Sequence, residues 1–135
     1  ILEVMRQSGL ADKLAGAMSP VLRRLFPENA GNREAMSAAA ANMSANLLGL
    51  GNAATPLGIR AASLMARGSS ASNDLCMLVV INTASIQLIP ATVGAVRAAA
   101  GAASPFDILP AVWITSAAAL AAGVTAAKIL GRFWR

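Results

Sequence analysis

At 135 residues the chain has room for one domain, yet 56% of it is apolar, only 13% is charged, and the mean hydropathy is +0.60. A water-soluble domain carries about 25% charged residues, so this composition argues against an ordinary soluble surface and points to a membrane protein, with a soluble alanine-rich helical domain as the remaining alternative. The net charge of +5 comes with 4% aromatics, no histidine and one cysteine, which argues against nucleic acid as a partner and leaves no metal cluster or disulfide to build within the chain.

The cations are not spread evenly. Arg23 and Arg24, Arg60 and Arg67, then Lys128, Arg132 and Arg135 cluster beside apolar runs, as at membrane flanks. Cys76 lies in an apolar run and reads as a small buried side chain. Ile1 is not a methionine, so the chain is expected to be part of a longer protein.

Residues 1–26 are amphipathic at helical period. Leu2, Met5, Leu10, Leu14, Met18, Val21, Leu22 and Leu25 fall on or near one face. Gly9, Gly16 and Pro20 predict two short helices bent near Ser19-Pro20, lying in the membrane interface. A soluble helix packed on a core has the same pattern. A polar loop follows over 27–33, where Asn32 can cap the next helix and Glu34 suits its first turn.

Residues 35–59 contain no charge. Their length would cross a bilayer, but Gly49, Gly51, Asn52, Thr55, Pro56 and Gly58 crowd the middle with turn formers and helix breakers. The pattern predicts a hairpin over 35–66: a helix to residue 48, a tip, then a second helix from Thr55 or Pro56, with Thr55 as its cap. After a Gly/Ser loop at 67–73, Ser72 or Asn73 can cap a second uncharged run over 75–96. Pro90 lies within that run, and the helix is expected to be unwound between Asn82 and Pro90. Ser104-Pro105-Phe106-Asp107 resembles a capping box opening a third apolar run over 106–130, with Trp113 near one end and Phe133 and Trp134 near the other.

Positive charge in the flanks assigns sides. The tail with Lys128, Arg132 and Arg135 is expected in the cytoplasm, and so are the loop with Arg60 and Arg67 and the segment with Arg23, Arg24 and Arg33. The run over 35–59 then begins and ends on one side, as a re-entrant hairpin does. The fold class expected is an all-α membrane protein, multi-pass, built from interfacial amphipathic helices, a re-entrant helical hairpin, an interrupted transmembrane helix and a C-terminal transmembrane helix.

Irregular backbone at membrane depth is tolerated only inside protein or around a wet cavity. The two expected breaks carry uncharged hydrogen-bonding groups: Asn42, Ser44, Asn46, Asn52 and Thr55 at the first, and Asn82, Thr83, Ser85 and Gln87 at the second, with Thr92 just beyond. Asn42 and Asn46 are four apart and share a helical face. Amides carry donors and acceptors together and suit a small neutral polar solute such as a nucleoside. The same residues can instead serve as hydrogen-bonding glue between helices. Neither serine has a base beside it, so no enzyme activity and no cofactor are expected.

The stretch Asn42-Met-Ser-Ala-Asn-Leu-Leu-Gly-Leu-Gly-Asn-Ala-Ala-Thr-Pro-Leu-Gly58 resembles the spore maturation protein A family. Asn82-Thr-Ala-Ser-Ile-Gln-Leu-Ile-Pro-Ala-Thr92 and Arg23-Arg-Leu-Phe-Pro27 are similar to it as well. The resemblance covers roughly residues 23–97. It implies a single nucleoside-recognition, or gate, domain in the inner membrane of a bacterial cell, partnered or fused with a spore maturation protein B-like membrane protein. The gate domain is itself similar to part of the concentrative nucleoside transporters. A transporter-like module is therefore expected. The alternative is a structural or regulatory membrane subunit for spore maturation or envelope function that does not transport. Self-association into an oligomer is compatible with either.

Overall fold

The computed structural model describes residues 10–66, 68, 70–84 and 86–133, with side chains from Gly16 onward. Expectations that rest on residues 1–9, Arg67, Ser85, Trp134 and Arg135 lie outside the described residues. Among those described, six helices and no strand make up the fold: α1 (Leu10–Leu25), α2 (Arg33–Leu47), α3 (Gly51–Met65), α4 (Asn73–Thr83), α5 (Ala91–Ala99) and α6 (Leu109–Phe133).

The helix α1 runs unbroken through Pro20, where two bent helices were predicted. The proline ring crowds the carbonyl four residues back, which belongs to exposed Gly16, a residue with open space around it. Leu22 and Phe26 anchor its C-terminal end in the core at 1% and 0% exposure, while Val21 turns outward. Phe26 alone buries enough apolar surface to contribute about 2–3 kcal/mol.

Asn32 caps α2 as its position predicts, with Oδ1 accepting from the Ala35 amide at 3.1 Å. α2 is rich in alanine and buries Ala35, Ala38, Ala39, Ala40 and Ala45. Small side chains let neighbouring backbones come close, and α2 packs most extensively on α3, then on α1. The core of Leu22, Phe26, Met43, Met65, Leu78 and Ile81 lies among α1 to α4.

α2 and α3 form an antiparallel hairpin whose tip is shorter than predicted. Only Leu48, Gly49 and Leu50 separate them. Gly49 makes this possible by taking φ +69, and Leu50 N–H then donates to the Ala45 carbonyl at 2.9 Å. α3 starts at Gly51, so Pro56 lies inside it and not in its first turn. Thr55 is not its cap: its hydroxyl donates to the Gly51 carbonyl at 3.2 Å. At the other end of the hairpin, Asn32 Nδ2 donates to the Leu64 carbonyl at 3.4 Å and ties its start to its finish.

Of the two predicted caps, Ser72 is the one used for α4, accepting from the Leu75 amide at 3.2 Å. Asp74 in the first turn is buried, and its Oδ2 accepts from the Asn29 amide at 2.8 Å and from Asn29 Nδ2 at 2.9 Å. These charge-assisted bonds fix the 27–31 loop on a helix N-terminus that favours an anion. Cys76 is exposed, contrary to the buried reading, because its position on α4 faces away from the core side of Met77 and Leu78.

The second apolar run is interrupted as its sequence predicts. α4 ends at Thr83, α5 begins at Ala91, and the described residues between them are not helical. α5 is pinned to the following turn by an Arg97–Asp107 ion pair of 2.6 Å, and Phe106 packs on Gly94 where a side chain could not fit. Ser104–Asp107 forms a turn closed by Asp107 N–H to the Ser104 carbonyl at 3.3 Å, and α6 starts only at Leu109 with Pro110 in its first turn. Pro110, lacking an amide hydrogen, fills the place expected of Pro105.

α6 has 25 residues and no buried residue, and an 18-residue stretch of it has a mean hydropathy of 1.6. Among the described residues it alone is long and apolar enough to cross a membrane. It packs on α4 in the opposite direction: Gly123 faces Val80, and Gly131 lies near Asn73 at the start of α4.

Candidate functional site

The two chain breaks meet. Leu88, in the segment after α4, donates its amide to the Leu47 carbonyl at the end of α2 at 2.7 Å. Gly49 lies so close to the Ile89 carbonyl that an added Cβ would stand 2.1 Å from its oxygen. Trp113 of α6 closes the group by donating Nε1 to the Leu88 carbonyl at 2.9 Å. The Leu47 and Leu88 carbonyls at the two breaks are thus each paired within the chain, while Leu88 and Trp113 themselves stay about half-exposed.

One layer away, an asparagine cluster bridges α2, α3 and α4. Asn46 Nδ2 donates to Asn82 Oδ1 at 2.8 Å. Asn82 Nδ2 donates to the Leu78 carbonyl of its own helix at 2.8 Å, which fixes the amide orientation. Asn42, one turn before Asn46, is 1% exposed and donates Nδ2 to the Ala54 carbonyl at 2.8 Å. Gly58 opens the space for it: a Cβ there would lie 2.9 Å from Asn42 Nδ2 and 3.8 Å from Asn82 Oδ1. Asn42 Oδ1 is buried with no hydrogen-bond partner. A buried amide oxygen left unmatched costs about 1–3 kcal/mol, so it is a standing demand for a donor.

The level of this cluster along the fold follows from α6. Val80 faces Gly123, and Asn82 lies one half-turn further along α4, which runs opposite to α6. At 1.5 Å of rise per residue, Asn82 is level with about residue 121, the middle of the apolar helix.

The other residues singled out in the sequence are dispersed. Ser44 is buried but turned to α1, where its hydroxyl contacts Met18 Sδ at 3.8 Å. Asn52 and Thr55 are exposed in the first turns of α3. Thr83 is exposed and bonds back to the Val79 carbonyl at 2.9 Å. Gln87 is half-buried in the unwound segment. Neither of two surface clefts among the described residues is lined by Asn42, Asn46 or Asn82: one involves Arg33, Glu34 and Arg60, the other lies among α1, α4 and α6. Reading the sequence missed Gly58 as the cradle for Asn42 and Ala54 as its acceptor. Gly58 reads locally as a helix breaker, and a main-chain carbonyl leaves no mark in the sequence, so neither carried a signal.

A family model described as Gate, nucleoside recognition, matches residues 1–103. The chain belongs to this family. It is also similar to spore maturation protein A of Bacillus subtilis (strain 168), with 40% identity over 113 residues. That alignment takes in 81% of this chain and 58% of the relative, so the chain spans little more than half of the protein it resembles. No solved structure matches it. The matched residues contain the hairpin, the interrupted helix and the whole asparagine cluster, whereas α6 lies beyond residue 103.

Proposed function

We propose that this Gate chain is a membrane-embedded, transporter-like module of the spore maturation protein A type, in which the two helix breaks frame a site for a small neutral polar solute such as a nucleoside. The single observation that carries this reading is the Asn46–Asn82 hydrogen bond beside the orphaned Asn42 Oδ1, level with the middle of α6. Asn42, Asn46 and Asn82 are the core of the site. Asn52, Thr55, Thr83 and Gln87 are at most peripheral to it, Ser85 lies outside the described residues, and Ser44 serves packing. The α2–α3 hairpin is re-entrant: α2 has 15 residues, about 22 Å of rise, short of a bilayer core of about 30 Å, and its two ends are tied on one side. The setting is the inner membrane of a bacterium, as a multi-pass protein with a spore maturation protein B-like partner.

A second reading has its own support. The asparagine amides largely satisfy one another and neighbouring carbonyls, which is how polar residues glue membrane helices together. On that reading the chain is a structural or regulatory membrane subunit that does not transport.

Thermal shift of the full protein in detergent against nucleosides, nucleobases and other small neutral solutes decides between them. A saturable stabilisation lost in Asn46→Ala and Asn82→Ala supports the solute site. No shift across the panel, in a sample shown to be folded, favours the structural subunit.

A further inference from the structure

We propose that the cleft among α1, α4 and α6 holds the headgroup of an anionic phospholipid that carries a free hydroxyl, the chemistry of phosphatidylglycerol. The cleft is open to the surface, has a volume of about 760 Å³ and lies at the N-terminal end of α4. Asp74 and Asn82 are eight residues apart, about 12 Å along that helix, so this cleft is separate from the asparagine cluster.

Its lining has two characters. Arg24 stands on the α1 side; Lys128 and Arg132 stand on the α6 side, one turn apart and therefore on one face. Between them the wall is apolar, with Leu25, Met77 and Leu130, and it continues into the uncovered apolar surface of α6. A free phosphate needs the cations and has no use for the wall; acyl chains do. The cationic end of a spanning helix is also the cytoplasmic end, where anionic lipids meet basic pockets between helices.

Asp74 refines the choice. It lines the cleft at 1% exposure, with Oδ2 occupied by Asn29 and Oδ1 buried without a partner. A carboxylate beside a phosphate is repulsive unless something donates to it; Oδ1 is sealed from solvent as the fold stands, and a turn of the Asp74 side chain toward the cleft would let a glycerol hydroxyl next to the phosphodiester supply that donor.

Cys76 lines the same cleft and is the only cysteine of the chain, so its alkylation rate reports occupancy directly. The test uses the full chain, delipidated in detergent, with phosphatidylglycerol, phosphatidylcholine or glycerol 3-phosphate added in turn. Native mass spectrometry of retained lipid is the second readout. Phosphatidylglycerol is expected to slow Cys76 alkylation and to be retained; the other two are not. The K128A/R132A double variant is expected to weaken retention roughly thirtyfold, the worth of two interfacial cations, with an unchanged circular dichroism spectrum. Arg24→Ala, from the opposite wall, repeats the test should the double variant fail to fold. Equal protection by phosphatidylcholine would reduce the cleft to an apolar surface. Protection by glycerol 3-phosphate alone would make the ligand a soluble phosphate. Unaltered phosphatidylglycerol retention in the folded charge variants would also overturn the assignment.

Discussion

Gly49 concentrates the demands of the fold on one residue. Its φ of +69 is a conformation that side chains resist, and the Ile89 carbonyl occupies the place of a Cβ at 2.1 Å. Gly49→Ala should therefore lower stability by at least about 2 kcal/mol, since backbone strain and an immovable backbone contact act together. Gly16→Ala is the matched control: it lies in a helix interior with nothing within 4 Å and should gain about 0.5–1 kcal/mol. Thermal unfolding in detergent at one scan rate compares the two. Gly58→Ala should behave differently again. Its methyl would meet Asn42 Nδ2 at 2.9 Å and push the amide off the Ala54 carbonyl. The loss of about 1–3 kcal/mol from a buried amide outweighs the helical gain of a glycine replacement, and any solute-dependent stabilisation should vanish with it. The pairing of Asn42 with Asn46 on one face was legible from their spacing, because helical period fixes direction. That Asn46 would meet Asn82 was not: period says which way a side chain points and leaves open which helix stands opposite.

Among the elements, the interruption of the second apolar run and the cap Asn32 could be read in advance, and the cap of α4 was narrowed to Ser72 or Asn73. Proline in a run and a short polar side chain before a helix act through local backbone chemistry, which sequence carries directly. The hairpin tip was read too long for the same local reason. Thr55-Pro56 has the signature of a helix start, and nothing nearby distinguishes a proline at the first position from one at the sixth. Tertiary contacts decide it: α3 is held along α2 by Asn42 on the Ala54 carbonyl, so the helix persists through the missing hydrogen bond. Pro56 is then a weak point kept within a helix. Pro56→Ala restores an amide donor for the Asn52 carbonyl and removes the ring clash. After subtracting the entropy gained by a freer unfolded chain, the variant should be roughly 1–2 kcal/mol more stable. Amide hydrogen exchange on residues 52–60 should slow in step, and a faster exchange there would show that Pro56 braces the hairpin instead.

For the whole molecule, the question is which surface faces lipid. The core draws on α1 to α4, while α6 has no fully buried residue over 25 positions and meets the core only through half-buried Leu120, Val124 and Ala127. A helix that apolar and that uncovered is stable in lipid or against further protein, and the ends of the fold separate by charge in the way a bilayer asks. Arg24, Lys128 and Arg132 gather around one cleft at the start of α4, and Trp113 sits at the opposite end beside the breaks. The cost of a charge in lipid depends steeply on depth, so two lysines on α6 discriminate. Ala121→Lys puts an ammonium near the middle of the helix, where insertion loses about 2.5–3.5 kcal/mol, on the order of a hundredfold in the inserted fraction. Ile129→Lys puts the same group among the cations near the end, where the side chain can reach the interface and the loss should be slight. Both positions are exposed in the fold, so neither change disturbs the packing of α1 to α4. Alkaline extraction of membranes should release the Ala121→Lys protein and retain the Ile129→Lys protein. Equal retention of both would mean that α6 is covered by protein and not by lipid, and the mid-depth position of Asn82, reckoned along α6, would lose its footing as well.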